Sequence, residues 1–304
     1  MRRLLTLSVF FLFAGTASAQ APAELATSYL EATDLPAQTE QVGTQLTQQI
    51  QGQAAQFPEP AQEPFRSIYT EALSGESLDT RLQSYIAAEA EADRLDDVLA
   101  WFEQPLVARM QELELTASED DQAQVALQMY SMTGSFTDYS PSEERTAQID
   151  EYLAASKSAE NAVDLYLDII VASAMSTSSI TRPDDVPSPD TIRAQMRPQL
   201  EAAIGGMVRG GALYTFREVS DDDLDAYVEQ LESPIAQYGM NLNSEAMRAA
   251  LVGAISDAGA ELGDTLLELD EAGEIDLDAM RAEAEAQRAQ QQQMQQMQEM
   301  EDGN

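Results

Sequence analysis

The sequence predicts an all-α protein made of two tandem helical-bundle modules, each built around a helix–Pro–helix hairpin. Three observations carry that expectation. Period-2 runs of β-branched residues are missing, whereas Ala, Leu, Gln and Glu dominate and apolar residues recur at helical spacing. Segment 95–110, LDDVLAWFEQPLVARM, returns 129 residues later as segment 224–239, LDAYVEQLESPIAQYG. In that register Leu95 falls on Leu224, Glu103 on Glu232, Pro105 on Pro234 and, upstream, Tyr85 on Tyr214. A recurrence at fixed period reads as a duplicated helical unit. Finally, the chain has no Cys, so packing alone must hold the fold, and 304 residues suffice for one or two cores.

Taken in order, Leu25, Tyr29 and Leu30 open a first helix. Val42, Leu46 and Ile50 mark a second at four-residue steps, and Phe65, Ile68, Tyr69 and Leu73 a third. Leu78, Leu82, Tyr85 and Ile86 follow, and Leu95, Val98, Leu99 and Phe102 give an i, i+3, i+4, i+7 stripe. Pro105 and Pro234 punctuate the chain. Ser233-Pro234 fits an N-cap followed by proline at the first helical position, where its missing N–H costs nothing; Gln104 makes a weaker cap. The stretch from Thr137 to Ser142 separates the copies, and Ile149, Tyr152, Leu153, Val163, Tyr166, Leu167 and Ile170 then predict one long helix. Ser, Thr, Asp and Pro between Ser176 and Pro189 predict a loop. Gly205-Gly206 and Gly210-Gly211 are expected to allow close helix contact. The module boundaries follow: signal 1–19, first module 20–139, second module 140–278, and a Gln/Met-rich acidic tail 279–304 expected to be disordered.

Residues 1–19 read as a secretory signal. Arg2 and Arg3 form the basic end, Leu4 to Ala14 the apolar stretch, and Ala17-Ser18-Ala19 the cleavage site, which makes Gln20 the mature N-terminus. The apolar stretch is too short to span a bilayer, and no second membrane segment follows. Loss of Arg2 and Arg3 takes the net charge from −38 to −40, and Lys157 is the one lysine. Acids spread over the whole chain point to halophilic or marine adaptation, since at about 1 M salt the Debye length is only ~3 Å and like charges stop repelling; the alternative is an acidic surface that recruits a cationic partner or divalent ions. Such a surface excludes nucleic-acid binding, which needs a basic footprint.

Chemistry is sparse. Without His or Cys there is no Ser-His or Cys-His nucleophile, no imidazole or thiolate zinc site and no disulfide. The run Asp221-Asp222-Asp223 is best read as the first turn of a helix capped by Ser220, where the helix dipole favours acids. Glu268 to Ala279 carries a trace of a calcium loop, with Glu268, Asp270, Glu274 and Asp276 as candidate metal ligands. Ala272 and Ala279, however, stand where two further ligands are required. Catalytic and cofactor-binding residues are not expected. The repeat residues Leu95, Leu99, Trp101, Phe102, Glu103, Pro105, Leu224, Val228, Leu231, Glu232, Ser233 and Pro234 are expected to be structural, the aromatics as core.

Trp101-Phe102-Glu103-Gln104-Pro105-Leu106, preceded by Asp97 and Leu99, resembles the aromatic–aromatic–Glu–Ser–Pro–Leu–Gly signature of the bacterial domain of unknown function 2059 family. The stretch from Gln230 to Ala236 looks like a second, diverged copy. Gln104 stands in place of Ser, Gln230 and Leu231 in place of the two aromatics, and Val107 and Ala236 in place of Gly. The resemblance implies an exported α-helical protein and no particular reaction. The expected function is that of a non-enzymatic helical interaction protein, periplasmic or secreted, contacting an unknown protein of the bacterial envelope. The alternative is a small-ligand or divalent-cation binding protein with its site between the modules. A pocket lined by Trp101 and Tyr227 favours the ligand, and a flat exposed apolar patch above about 400 Å² favours the protein partner.

Overall fold

A computed structural model describes residues 22–137, 139–181 and 188–283, with 285, 286 and 290; the expected signal and most of the tail lie outside these. The described chain is all-α, a helical bundle with no strand among the described residues. The first half forms α1 (Ala23–Ala32), α2 (Leu35–Gln53), α3 (Glu59–Ala72) and α4 (Gly75–Glu89). It continues with α5 (Ala92–Phe102), α6 (Pro105–Glu119) and α7 (Asp121–Thr133). The second half forms α8 (Glu143–Ser156), α9 (Ser158–Thr181), α10 (Pro189–Thr215), α11 (Asp221–Leu231) and α12 (Pro234–Glu271).

Several expectations change here. The helix expected to run through residues 149–170 is broken at Lys157, whose φ of 52° is left-handed, between α8 and α9. The loop expected from Ser176 begins later, because α9 runs on to Thr181, and Pro189 is already the first residue of α10. Of the paired glycines only Gly210 permits a close approach: a Cβ there would lie 2.5 Å from Tyr130 Cδ1, whereas Gly205 and Gly206 face open space. Residues 277–283, on which the expected tail begins, are helical, with Leu277 buried and Met280 packed on the core.

Helix α12 organises the molecule. Its 38 residues reach about 57 Å at 1.5 Å per residue. Ala246, Ala250, Ala254 and Ala258 line it at four-residue steps and are all buried, so neighbouring helices approach its axis closely. Gly239 lies against Val98 and Gly259 against Ser176; at Gly239 a Cβ would come within 2.9 Å of Val98 Cγ1. Glu245, Asp257, Glu261 and Asp264 lie exposed, so α12 is central yet keeps one face to solvent.

Two main cores flank it, and neither stops at the boundary between residues 139 and 140. The larger joins Tyr29, Phe65, Leu78, Leu82, Ile86, Leu95 and Val98 of the first half to Leu165 and Ile169 of α9 and to α12 from Leu242 to Leu266. The other joins Trp101, Val107 and Met110 of the first half to Ile149, Leu213, Phe216, Leu224 and Tyr227. Phe102 and Ile235 touch both.

With 54 acids against 16 basic residues, most surface carboxylates face no cation. The pairs that do form between the halves, Arg81–Asp257 at 2.7 Å and Arg109–Asp223 at 2.8 Å, lie near the surface and add little each. Unfolding followed by circular dichroism should therefore show a midpoint that climbs steadily from dilute buffer to molar KCl. A flat or falling midpoint would remove salt adaptation as the reason for the acidity.

Candidate functional site

The two hairpins coincide in the 129-residue register down to the backbone. Helices α5 and α11 each span eleven residues and end at Phe102 and Leu231, equivalent positions. Glu103 and Glu232 have φ, ψ of −74°, −8° and −73°, −10°; Gln104 and Ser233 then turn extended at −63°, 133° and −63°, 146°. Ser233 Oγ accepts from Ala236 N at 3.3 Å, a cap that Gln104 does not make. Glu103, Glu232, Pro105 and Pro234 are exposed at the hinges.

Burial along the repeated stripe is shifted from the expected positions. Leu95 and Leu224 are fully buried and Leu231 nearly so, but Leu99, Val228 and Phe102 are only half-buried. Val98 of the expected stripe is fully buried, and Trp101 and Tyr227 are core as expected of these aromatics. The reason is how the hairpins cross. Helix α5 packs on α12, and α11 packs on α6, so each hairpin lays its first helix against the second helix of the other. Val98 then meets the small Gly239, while the equivalent pair, Tyr227 and Met110, share the other core.

Where the hairpins meet, a cleft of about 690 Å³ remains, lined by Trp101 and Phe102 of α5, Glu114 of α6, Tyr152 of α8, Tyr227 of α11 and Asn243 of α12. Its volume lies in the range of small-molecule sites. The corner between α1 and α2 closes one side with Thr33, and Tyr29 donates to Asn243 Oδ1 at 2.7 Å. Glu114 sits on the stripe Val107, Met110, Glu114, an acid seven residues after Val107 and four after Met110, where an apolar residue is expected. Its Oε1 accepts from the Tyr152 hydroxyl at 2.9 Å, and the Tyr227 hydroxyl also bonds to it. Burial pushes the Glu114 carboxyl up to about 7, although both tyrosine hydrogen bonds pull the other way. Burial first, then the neighbouring Glu114, holds Tyr152 and Tyr227 well above the ordinary phenol range, so both remain donors.

Two polar atoms at this cleft have no partner. Trp101 Nε1 and Thr33 Oγ1 are buried without a hydrogen bond, in residues each only 6% exposed. Neither atom is reached by solvent from the cleft, and a buried donor left unpaired costs roughly 1–3 kcal/mol. A wider groove of about 950 Å³ along α9 and α12 differs in this respect. There Asp168 is paired with Arg193 and Arg248, and Tyr85 bonds to Glu245, so its main polar groups already have partners.

The candidate metal ligands do not converge. Asp270 Oδ1 accepts from Leu277 N and Asp276 Oδ1 from Ala279 N, both at 2.9 Å, so these carboxylates tie down the turn around Gly273. No group of three acidic side chains fit to hold a metal occurs among the described residues. Asp221, Asp222 and Asp223 form the first turn of α11, whose N-cap Ser220 accepts from Asp223 N at 3.2 Å. Sequence reasoning missed Glu114, Tyr152 and Thr33 as site residues; for Glu114 the acid on an apolar stripe was the available signal.

No protein-family model, no curated protein and no solved structure matches the chain. The family resemblance of the hairpins therefore rests on the two motif segments alone.

Proposed function

We propose that this chain is an exported, non-enzymatic binding protein of the bacterial envelope that holds a small molecule between its two Pro-hinged hairpins. The observation that carries this reading is the cleft of about 690 Å³ where the hairpins meet, walled by Trp101, Phe102, Tyr152 and Tyr227 and holding the Glu114 carboxyl with no cation beside it. Export rests on the basic and apolar N-terminus with its Ala-Ser-Ala site. Placement in the domain of unknown function 2059 family rests on the Glu-x-Pro hinges and is part of the same proposal. Contact with another envelope protein is a second reading, supported by Val125, Met129 and Met132, which stand exposed along α7.

Trp101 is the sole tryptophan, so its emission reports the cleft directly. Protein purified under native conditions and titrated with a metabolite library should show ligands that shift that emission and raise the unfolding midpoint. Ligand at a hundredfold excess over Kd adds about 2.7 kcal/mol, or roughly 5–10 °C for a chain of this size. If every compound leaves both emission and midpoint unchanged, the binding reading fails.

A further inference from the structure

We infer that the protein pairs with a second copy of itself through the open face of α7. This surface is independent of the cleft and of whatever the cleft holds. Helix α7 docks on α10 through Leu127 and Tyr130, which reach Gly211 and Gly210. The neighbouring stripe of Gln122, Val125, Met129 and Met132 lies open to solvent at helical spacing. Val125 is 62% exposed, Met129 41% and Met132 76%, and Met207 of the underlying α10 is exposed as well. Large apolar side chains concentrated in this way mark an interaction surface, whereas single ones are ordinary.

The repeat reveals what this face lacks. Downstream of the hinges Leu113 falls on Leu242 and Ala117 on Ala246, so the 129-residue register carries α7 onto the second half of α12. Gln122 falls on Leu251, Val125 on Ala254 and Met129 on Ala258. Those three counterparts are buried, in a helix packed against α3, α4 and α9. The face that other helices cover in the second copy is bare in the first. Charge is missing from it too. The exposed acids Asp257, Glu261 and Asp264 of α12 correspond to Gln128, Met132 and Ser135, and no residue from Gln122 to Thr137 is charged.

That pattern selects the occupant. At a net charge of −38 two copies repel wherever carboxylates face each other, and close contact would also strip water from them. An uncharged apolar face is where two such copies can touch. A basic partner would be drawn instead to the acidic remainder of the surface. The other exposed large side chains, Leu115 on α6 and Leu267 on α12, stand singly among the described residues, so α7 of the second copy is the matching surface this chain offers. Pairing about a two-fold axis needs one self-complementary patch, present on both partners. The methionines adapt their shape to one another. A groove of about 810 Å³ beside the stripe, lined by Val125, Met129, Phe136, Tyr139 and Tyr214, leaves room for side chains of the facing helix.

The test is analytical ultracentrifugation of the full mature chain over a range of protein concentrations, from dilute buffer to molar KCl. The expected result is a reversible monomer–dimer equilibrium that tightens as KCl rises, because salt screens the repulsion between copies and leaves the apolar contact in place. Val125→Glu and Met129→Glu should each weaken the dimer at least about a hundredfold, since each sets like charges against each other across the axis. Both positions face solvent, and circular dichroism checks that the fold is kept. Leu267→Glu, also at an exposed apolar position, should leave the dimer intact. The chain has no Cys, so Met129→Cys introduces a single thiol, and a short bismaleimide should join two chains through it but not through Leu267→Cys. A monomer at every concentration and salt would overturn the inference and leave the face to another envelope protein. A dimer that survives both acidic substitutions, or that loosens as KCl rises, would overturn it as well, by placing the contact on another surface or on ion pairs. Ligand binding in the cleft stands or falls separately, by Trp101 emission.

Discussion

Truncation of Leu224 to Ala should cost about 3–4 kcal/mol, and Leu95→Ala nearly the same. Both side chains are fully buried, at equivalent positions of α11 and α5, and buried Leu→Ala changes fall at roughly 2–5 kcal/mol. The half-buried partners Leu99 and Val228 should lose only about 1–2 kcal/mol on the same change. Leu95 and Leu224 belong to different cores, so the double variant should be additive within about 0.5 kcal/mol. Urea midpoints measured at molar KCl would check all four values. A cost for Leu224→Ala below about 1 kcal/mol would mean that the hairpins do not pack as described.

Stability should fall between about pH 4.5 and pH 7 because of Glu114, and Glu114→Gln should abolish that component. The carboxyl titrates near 7 when folded and at its ordinary 4.5 when unfolded, so the folded state holds the proton more tightly. Stability from this group is therefore complete below 4.5, declines as pH rises through the interval, and is gone above 7. A shift of that size corresponds to roughly 3 kcal/mol in full burial, and solvent at the half-buried residue reduces it to about 1–2 kcal/mol. At pH 8 the Gln variant should be the more stable protein by that amount, and at pH 4 the two should match. The difference between variant and wild type isolates Glu114 from the many surface acids that titrate alongside it. A variant that is no more stable than wild type at pH 8 would show that the carboxyl is solvated after all.

Local structure was legible wherever one residue type dictates geometry. Pro105 and Pro234 start helices because proline suits the first turn, Ser220 and Ser233 cap as their hydroxyls allow, and four-residue apolar steps mark α2 to α5. Lys157 was illegible, because a left-handed lysine carries no glycine or asparagine signal. That Leu99 and Phe102 of the expected stripe are only half-buried, while Val98 and Trp101 are covered, depends on which helix lies opposite, and periodicity within α5 says nothing about α12. The Ala steps of α12 are plain to the eye, yet alanine serves equally on a surface helix, so only its neighbours reveal a central one. The cleft is assembled from seven helices drawn from both halves, and its residues are far apart in sequence. Of its lining only Trp101 and Tyr227 were named from the sequence as pocket residues; Glu114 was missed, although a charge on an apolar face was the available signal.

The crossed packing of the hairpins has a consequence for the order in which the protein can acquire its structure. Helices α1 to α5 leave the ribosome, and on the proposed route the export channel, long before α12, whose buried face completes their core. Until residues 234–271 arrive, Leu78, Leu82, Ile86 and Leu95 are covered by α1 to α3 alone, and α6 likewise awaits its contacts with α11. Folding is thus a late event governed by contacts of long sequence separation, slower than for a helical bundle of local hairpins. The unfinished first half must spend that interval without aggregating, and its dense negative charge keeps such chains apart.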